Sequence, residues 1–557
     1  MKFSQMPYER PQIVEVKKTF GELADAFDKA GTPSEAIAAY MALDKYAEHT
    51  NTMARLAYIR NSMDTTDEFY NAEKMYFDEA QPLFEEMQQD FQARLLKSPH
   101  RAGLEAKFGS LMFRNIEISL KTFAPAIIPD LQRENRLTTE YDKLLASAQI
   151  DFDGKTLTLA QITPYLEDTD RNVRRAACDA RSAWFMECAD KLDALYDELV
   201  KLRTGIAKKL GYDSFIELGY YRMGRNCYDM DMVGRFREGV RKYIVPLAAR
   251  LKKEQAGRIG VDSLKMYDDA LMFPEGNAKP SGTPDEIFEH GRKMYHELSA
   301  ETGAFIDFML ENELFDVLTR PGKSGGGYCS TLPDYKAAFI FANFNGTSGD
   351  IDVLTHEAGH AFNSHMIRDR SPSPLRDYTS ETAEVHSMGM EFFTWPWMEG
   401  FFKDAGKYRR QHLASSLAFI PYGTMVDEFQ HRVYENPGMP PAERNRLWKE
   451  LEGVYRPWLD LEDTPFFGEG RRWQYQLHIY ELPFYYIDYC LAQAVAFALW
   501  AEDQADHAAA WGKYIEFIGC SGRKTFIESL ETCGLPSPFV PDNLDAISAK
   551  VIKWLDK

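Results

Sequence analysis

Apolar residues recur three or four positions apart through much of the first two hundred residues, with Glu, Gln and Asp filling the intervals. Such spacing gives each helix one apolar stripe and predicts an N-terminal lobe of long helices. The stretch 66–97 carries the pattern most plainly and holds few β-branched residues; 141–147, 162–166 and 172–208 repeat it. The texture changes at 335–345, where aromatic and β-branched residues make the best strand candidate in the chain. Two readings of that strand stay open: an edge along which an extended peptide lies, or an ordinary hairpin packed on the core. Loops are expected at 274–284, rich in Pro and Gly, and at 321–327. The second contains Gly322-Lys323-Ser324, but Val317 stands where a phosphate loop needs glycine, so a glycine-rich turn is expected instead.

Downstream of the strand lies His356-Glu357-Ala358-Gly359-His360. Histidines four apart lie on one helix face, one turn from each other, so both imidazoles can reach a single ion. Glu357 projects beside that ion, where a general base acting on water would stand. Two imidazoles in a hydrolytic arrangement favour zinc, one ion per chain. Ala358 and Gly359 are small and allow another element to approach closely. N-cap candidates at Thr347-Ser348-Gly349-Asp350 place the helix start near Asp350, and Ser371-Pro372 should end it.

A catalytic zinc needs a third protein ligand. His365 lies well around the helix from His360 and is expected at the surface. A second helix is expected from Thr379 or Ser380, and there Glu381, Glu384 and His386 compete for the position. Glu384 and Glu391, seven apart, share a face, which suits a ligand and an acceptor that orients a ligating histidine. Further on, 473–489 is rich in hydrogen-bond donors. Pro483 reads as the first residue of a helix, with His478 on the approach to it and Tyr485, Tyr486 and Tyr489 on neighbouring turns. An aromatic core stripe is the plainer reading of those tyrosines.

The His356–His360 motif, followed some two dozen residues later by Glu384, Ser387 and Glu391, resembles the thimet oligopeptidase and oligoendopeptidase F family of zinc peptidases. Gly327-Tyr328-Cys329 through His360, and 473–493, are similar to its oligoendopeptidase F and Pz-peptidase branch. The resemblance is specific over 320–495. It implies that Glu384 is the third zinc ligand, and that His478, Tyr486 and Tyr489 hold the carbonyl oxygen and the tetrahedral intermediate. Tyr485 is carried over as a substrate-binding residue. Met388 stands where thermolysin-like enzymes have an aspartate, which leaves Glu391 to orient a ligating histidine. A further tyrosine of the family would fall on Leu482, so the donor set departs there.

The fold so implied is mainly α, with two helical lobes around a deep substrate cleft and a small β-sheet near the site. The lobes are expected at 1–200 and 201–557, closely joined. The expected activity is zinc-dependent endopeptidase action on short unstructured peptides, with Glu357 as the base. Two alternatives remain: an enzyme trimming terminal residues or dipeptides on the same scaffold, and a silent peptide-binding protein whose zinc is structural. A net charge of −20 argues against nucleic acid and anionic membrane surfaces as partners. No apolar stretch reaches membrane-spanning length, the first residues lack a secretory apolar region, and seven scattered cysteines suit a reducing cytoplasm.

Overall fold

The computed structural model describes all 557 residues, which form 22 α-helices and only small sheets. Of the N-terminal helices, α1 (Pro33–Met63) starts with Pro33 behind Thr32, whose side chain accepts from the Glu35 N–H at 3.2 Å. Asp67 caps α2 (Glu68–Lys97) and Asp170 caps α3 (Arg171–Lys209), each accepting a backbone N–H of the first turn. These satisfied N-termini explain why 66–97 and 172–208 read so clearly. The 162–166 segment is only a 3-10 turn, Thr163–Glu167. Its C-cap Asp168 is extended, and the next helix begins three residues later.

A three-stranded sheet sits against the motif helix: β1 (Phe315–Leu318), β2 (Tyr328–Leu332) and β3 (Ala337–Phe344). The order is β1-β3-β2, with β3 parallel to β1 and antiparallel to β2. The strand expected at 335–345 is therefore the centre of the sheet, buried except at Asn343, and cannot be the edge for a peptide. The sheet's edges are β1 and β2. The loop lysine before β2, Lys323, is buried against Asp316 and three backbone carbonyls.

The motif helix is α4 (Gly349–Ile367), followed by α5 (Ser380–Phe393), whose residues 381–393 are nearly all buried. α5 packs on α4 and on α8 (Tyr486–Asp503), which packs in turn on α6 (Ala405–Glu435). Between them α7 (Leu477–Glu481) makes one turn. Pro483 does not open α8; Leu482 leaves the helical region with φ −132° and ψ 72°, Phe484 has φ +69°, and α8 starts at Tyr486. The break is pinned: Arg225 donates to the Phe484 carbonyl at 2.5 Å, and the Phe484 N–H donates to Gln430 at 3.1 Å.

One core of 114 buried residues runs from Phe3 to Leu555. A separate core of 13 residues, Phe20 to Ile116, holds the first helices together. A cavity of about 590 Å³ is lined by Glu85 and Glu134 from the N-terminal helices together with Asp377, Glu481 and Leu482. No helix is long and apolar enough to cross a membrane.

Candidate active site

Helices α4 and α5 bring three side chains to one point. Oε2 of Glu384 lies 3.2 Å from His356 Nε2 and 3.4 Å from His360 Nε2. One donor atom from each of the three falls within 4.8 Å of the others. Two imidazole nitrogens and a carboxylate oxygen are the donor set of a catalytic zinc centre. Glu384 is 1% exposed and is held by two further hydrogen bonds, from the Ser387 hydroxyl at 2.8 Å and from the Tyr485 hydroxyl. Glu357 stands beside the cluster, and its Oε2 is buried without a hydrogen-bond partner. Burial raises its pKa above the ordinary carboxylate value, although His356 and His360 pull the other way. An unpaired, proton-hungry oxygen next to three converging ligands fits a divalent ion with an activated water.

The orientation of the His356 ring is set from behind. Its Nδ1 donates to Glu391 Oε1 at 2.6 Å, leaving Nε2 free for a metal. Glu391 Oε2 accepts in turn from His412 Nε2 at 2.8 Å. The indole Trp395 Nε1–H donates to His412 Nδ1 at 3.1 Å, which fixes the proton of His412 on Nε2. Glu391 thus lies against the His356 ring, while His412 and Trp395 escaped the sequence reading. His412 sits on α6, more than fifty residues from the motif, and no local spacing points to it.

The other ligand candidates are accounted for. Glu381 faces away, into a buried group in which Tyr228 donates to Glu381 at 3.2 Å and to Asp488 at 2.9 Å. Arg225 completes that group 3.1 Å from Asp488. His386 is fully buried behind α5, its Nε2 3.3 Å from the Ser521 hydroxyl, and burial lowers its pKa to about 3. His365 is half-buried, its ring 5.4 Å from that of Phe308.

Across from the cluster, His478 on α7 meets Tyr485, Tyr486 and Tyr489 at ring separations of 5.5, 4.9 and 5.7 Å. Burial lowers the His478 pKa to about 4, so its imidazole is neutral at pH 7. Tyr422 donates to Gln476 Oε1 at 2.6 Å, and the Gln476 amide then donates to His478 Nδ1 at 3.0 Å. That relay leaves the His478 proton on Nε2, which lies 3.3 Å from the Tyr489 hydroxyl. Gln476 and Tyr422 were also missed, since an amide two residues before a histidine carries no distinctive signal. Of the two arginines after Gly470, Arg471 is engaged with Asp193 and Glu469, and Arg472 lies over the Tyr422 ring.

Residues 164–540 match the model of peptidase family M3, and 3–123 match the peptidase M3 N-terminal domain. The chain belongs to peptidase family M3. A solved structure of Pz peptidase A with an inhibitor is 47% identical, covers 100% of this chain and 99% of that one, and superposes with a TM-score of 0.98. A structure assigned provisionally as an oligoendopeptidase F is 48% identical, with 100% and 99% coverage and a TM-score of 0.99. The chromosomal oligoendopeptidase F of Lactococcus lactis subsp. cremoris is 25% identical over 233 residues, 42% of this chain. In that match the M3 chain spans 37% of the relative's own length.

Proposed function

We propose that this M3 protein is a zinc-dependent endopeptidase cleaving internal bonds of short, unstructured peptides. The observation that carries the reading is the meeting of His356, His360 and Glu384 beside an unpaired Glu357 carboxylate. His356, His360 and Glu384 would hold the ion, and Glu391 with His412 would keep His356 turned toward it. Zinc, when bound, supplies Lewis acidity, which makes water nucleophilic near neutral pH and polarises the scissile carbonyl.

Glu357 takes the proton released as water adds to the carbonyl carbon, and returns it to the departing amine nitrogen. The neutral His478 Nε2–H and the hydroxyls of Tyr486 and Tyr489 donate to the oxygen on which negative charge develops. Tyr485 steadies Glu384 and borders the substrate. A preference for flexible peptides over folded proteins belongs to the same reading. A division into lobes at 1–200 and 201–557 and a cytoplasmic location belong to the same reading; the seven free cysteines support the location, while the small separate core ends at Ile116 and the large core takes in residues on both sides of position 200.

The test is a mixed peptide library digested by protein stripped with a chelator and then reloaded with zinc. Products mapped by mass spectrometry should show internal cuts that vanish on stripping and return with zinc. Cuts confined to the termini of unblocked peptides would instead favour a trimming enzyme, and none at all would leave a silent binding protein.

A further inference from the structure

Asn51, Arg55 and Tyr58 lie four and three residues apart on one face of α1, and all three are exposed to solvent. That face lies against β2. The rings of Tyr58 and Tyr328 are 5.4 Å apart, and Arg55 Nη1 donates to the Ser330 hydroxyl at 3.3 Å. Arg55 Nε donates to Asn51 Oδ1 at 3.1 Å. Both acceptors are neutral, so the guanidinium keeps its charge unpaired and its Nη2 uncommitted. Protein around the side chain lowers its pKa despite the exposure, with the charge of Asp377 opposing the effect.

β2 pairs with β3 along one side only; on the other side its backbone groups find no backbone partner. Where β2 begins, a Cβ on Gly327 would lie 3.5 Å from Glu357 Oε1. Ser330 is three residues further, about 10 Å along an extended strand. The open strand edge therefore starts at the base proposed for hydrolysis and passes the unpaired guanidinium three residues later. A peptide adding to such an edge is held by main-chain hydrogen bonds, and its alternate side chains are read by the walls.

Resting on the peptidase reading above, we propose that Arg55 is a specificity-determining residue that binds a carboxylate of the substrate peptide about three residues from the bond to be cleaved. The carboxylate is an Asp or Glu side chain or the free end of the peptide, since a guanidinium grips either one with paired N–H donors.

Matched quenched-fluorescence peptides distinguish the sources. One arm replaces Glu by Gln at each position two to four residues from the cut, on both sides; the other compares free-acid with amidated C-termini. For zinc-loaded wild type, one arm should favour the carboxylate roughly tenfold in kcat/KM, through KM, the size of one charge contact. Arg55→Gln should bring that ratio close to unity, while Arg55→Lys keeps part of it and shows that loss of folding is not the cause. No preference in either arm, or a preference that survives Arg55→Gln, overturns the proposal while leaving the peptidase reading intact. Failure of the zinc-loaded wild type to cut any peptide sinks that reading, and the role of Arg55 with it.

Discussion

Gly359 approaches Ser387 so closely that a Cβ on the glycine would stand 2.6 Å from the Ser387 Cα. It would meet the His386 carbonyl oxygen at 2.5 Å as well. The small residue inside the motif is thus what lets α4 and α5 touch backbone to backbone. Only at that spacing does Glu384 reach the two histidines. Gly359→Ala should force the helices apart, cost about 1–3 kcal/mol as an overpacked core does, and lower zinc affinity. Thermal unfolding and zinc titration of the purified variant check both effects.

Glu357→Gln removes the proton acceptor and leaves the three ligands in place. We expect bound zinc to stay near wild type while kcat falls by about 10²–10⁴-fold. Metal analysis alongside single-peptide kinetics separates the two. A variant of near-normal rate would take Glu357 out of the mechanism.

Glu384→Ala should strip most of the zinc. Glu381→Ala should retain it, because that carboxylate serves Tyr228 and Thr379 on the far side of α5. Its loss instead removes an acceptor from both hydroxyls, which keep Asp488 and Thr382 as partners, at about 0.5–1.5 kcal/mol of stability. The opposite order of zinc contents would make Glu381 the ligand.

Spacing alone carried the sequence reading as far as His356, Glu357 and His360, since an i, i+4 pair belongs to one helix. It left Glu381, Glu384 and His386 open, and the resemblance chose Glu384. The choice is decided physically by which face of α5 meets Gly359, a tertiary contact that no local pattern encodes. His412 was invisible for the same reason: it reaches Glu391 from α6, a different helix. Strand β3 was recognised from its residues, but its central place depends on β1, a four-residue strand paired in parallel from a distance. Pro483 misled because proline suits a helix start, whereas here Phe484, held by Arg225 and Gln430, takes a positive φ first.

His412→Ala deprives Glu391 of one of its two imidazole partners. Ligand-orienting hydrogen bonds of this kind are worth about 10–100-fold in metal affinity. Competition with a zinc chelator at fixed pH should reveal a loss in that range, with the fold intact by circular dichroism.

Burial, with the charge of Asp142 adding to it, pushes the Glu481 carboxyl up to about 8. The folded protein therefore binds a proton there that the unfolded chain has released above its ordinary carboxylate pKa. Stability from this group is full at low pH and is lost as pH climbs from about 4.5 toward 8. Glu481→Gln should raise the melting temperature at pH 8 and leave it unchanged near pH 4. Equal shifts at both pH values would assign the effect to packing instead.

α1 contributes Ala36, Tyr40 and Leu43 to the small core but Met53, Leu56 and Ile59 to the large one. It is a splint joining two bodies that otherwise bury their apolar side chains independently. Local opening of the first helices uncovers only the smaller body, so their amides should exchange with deuterium well before those of α5. The same unbroken helix carries Arg55 and Tyr58 in its last turns, on the side of the large body.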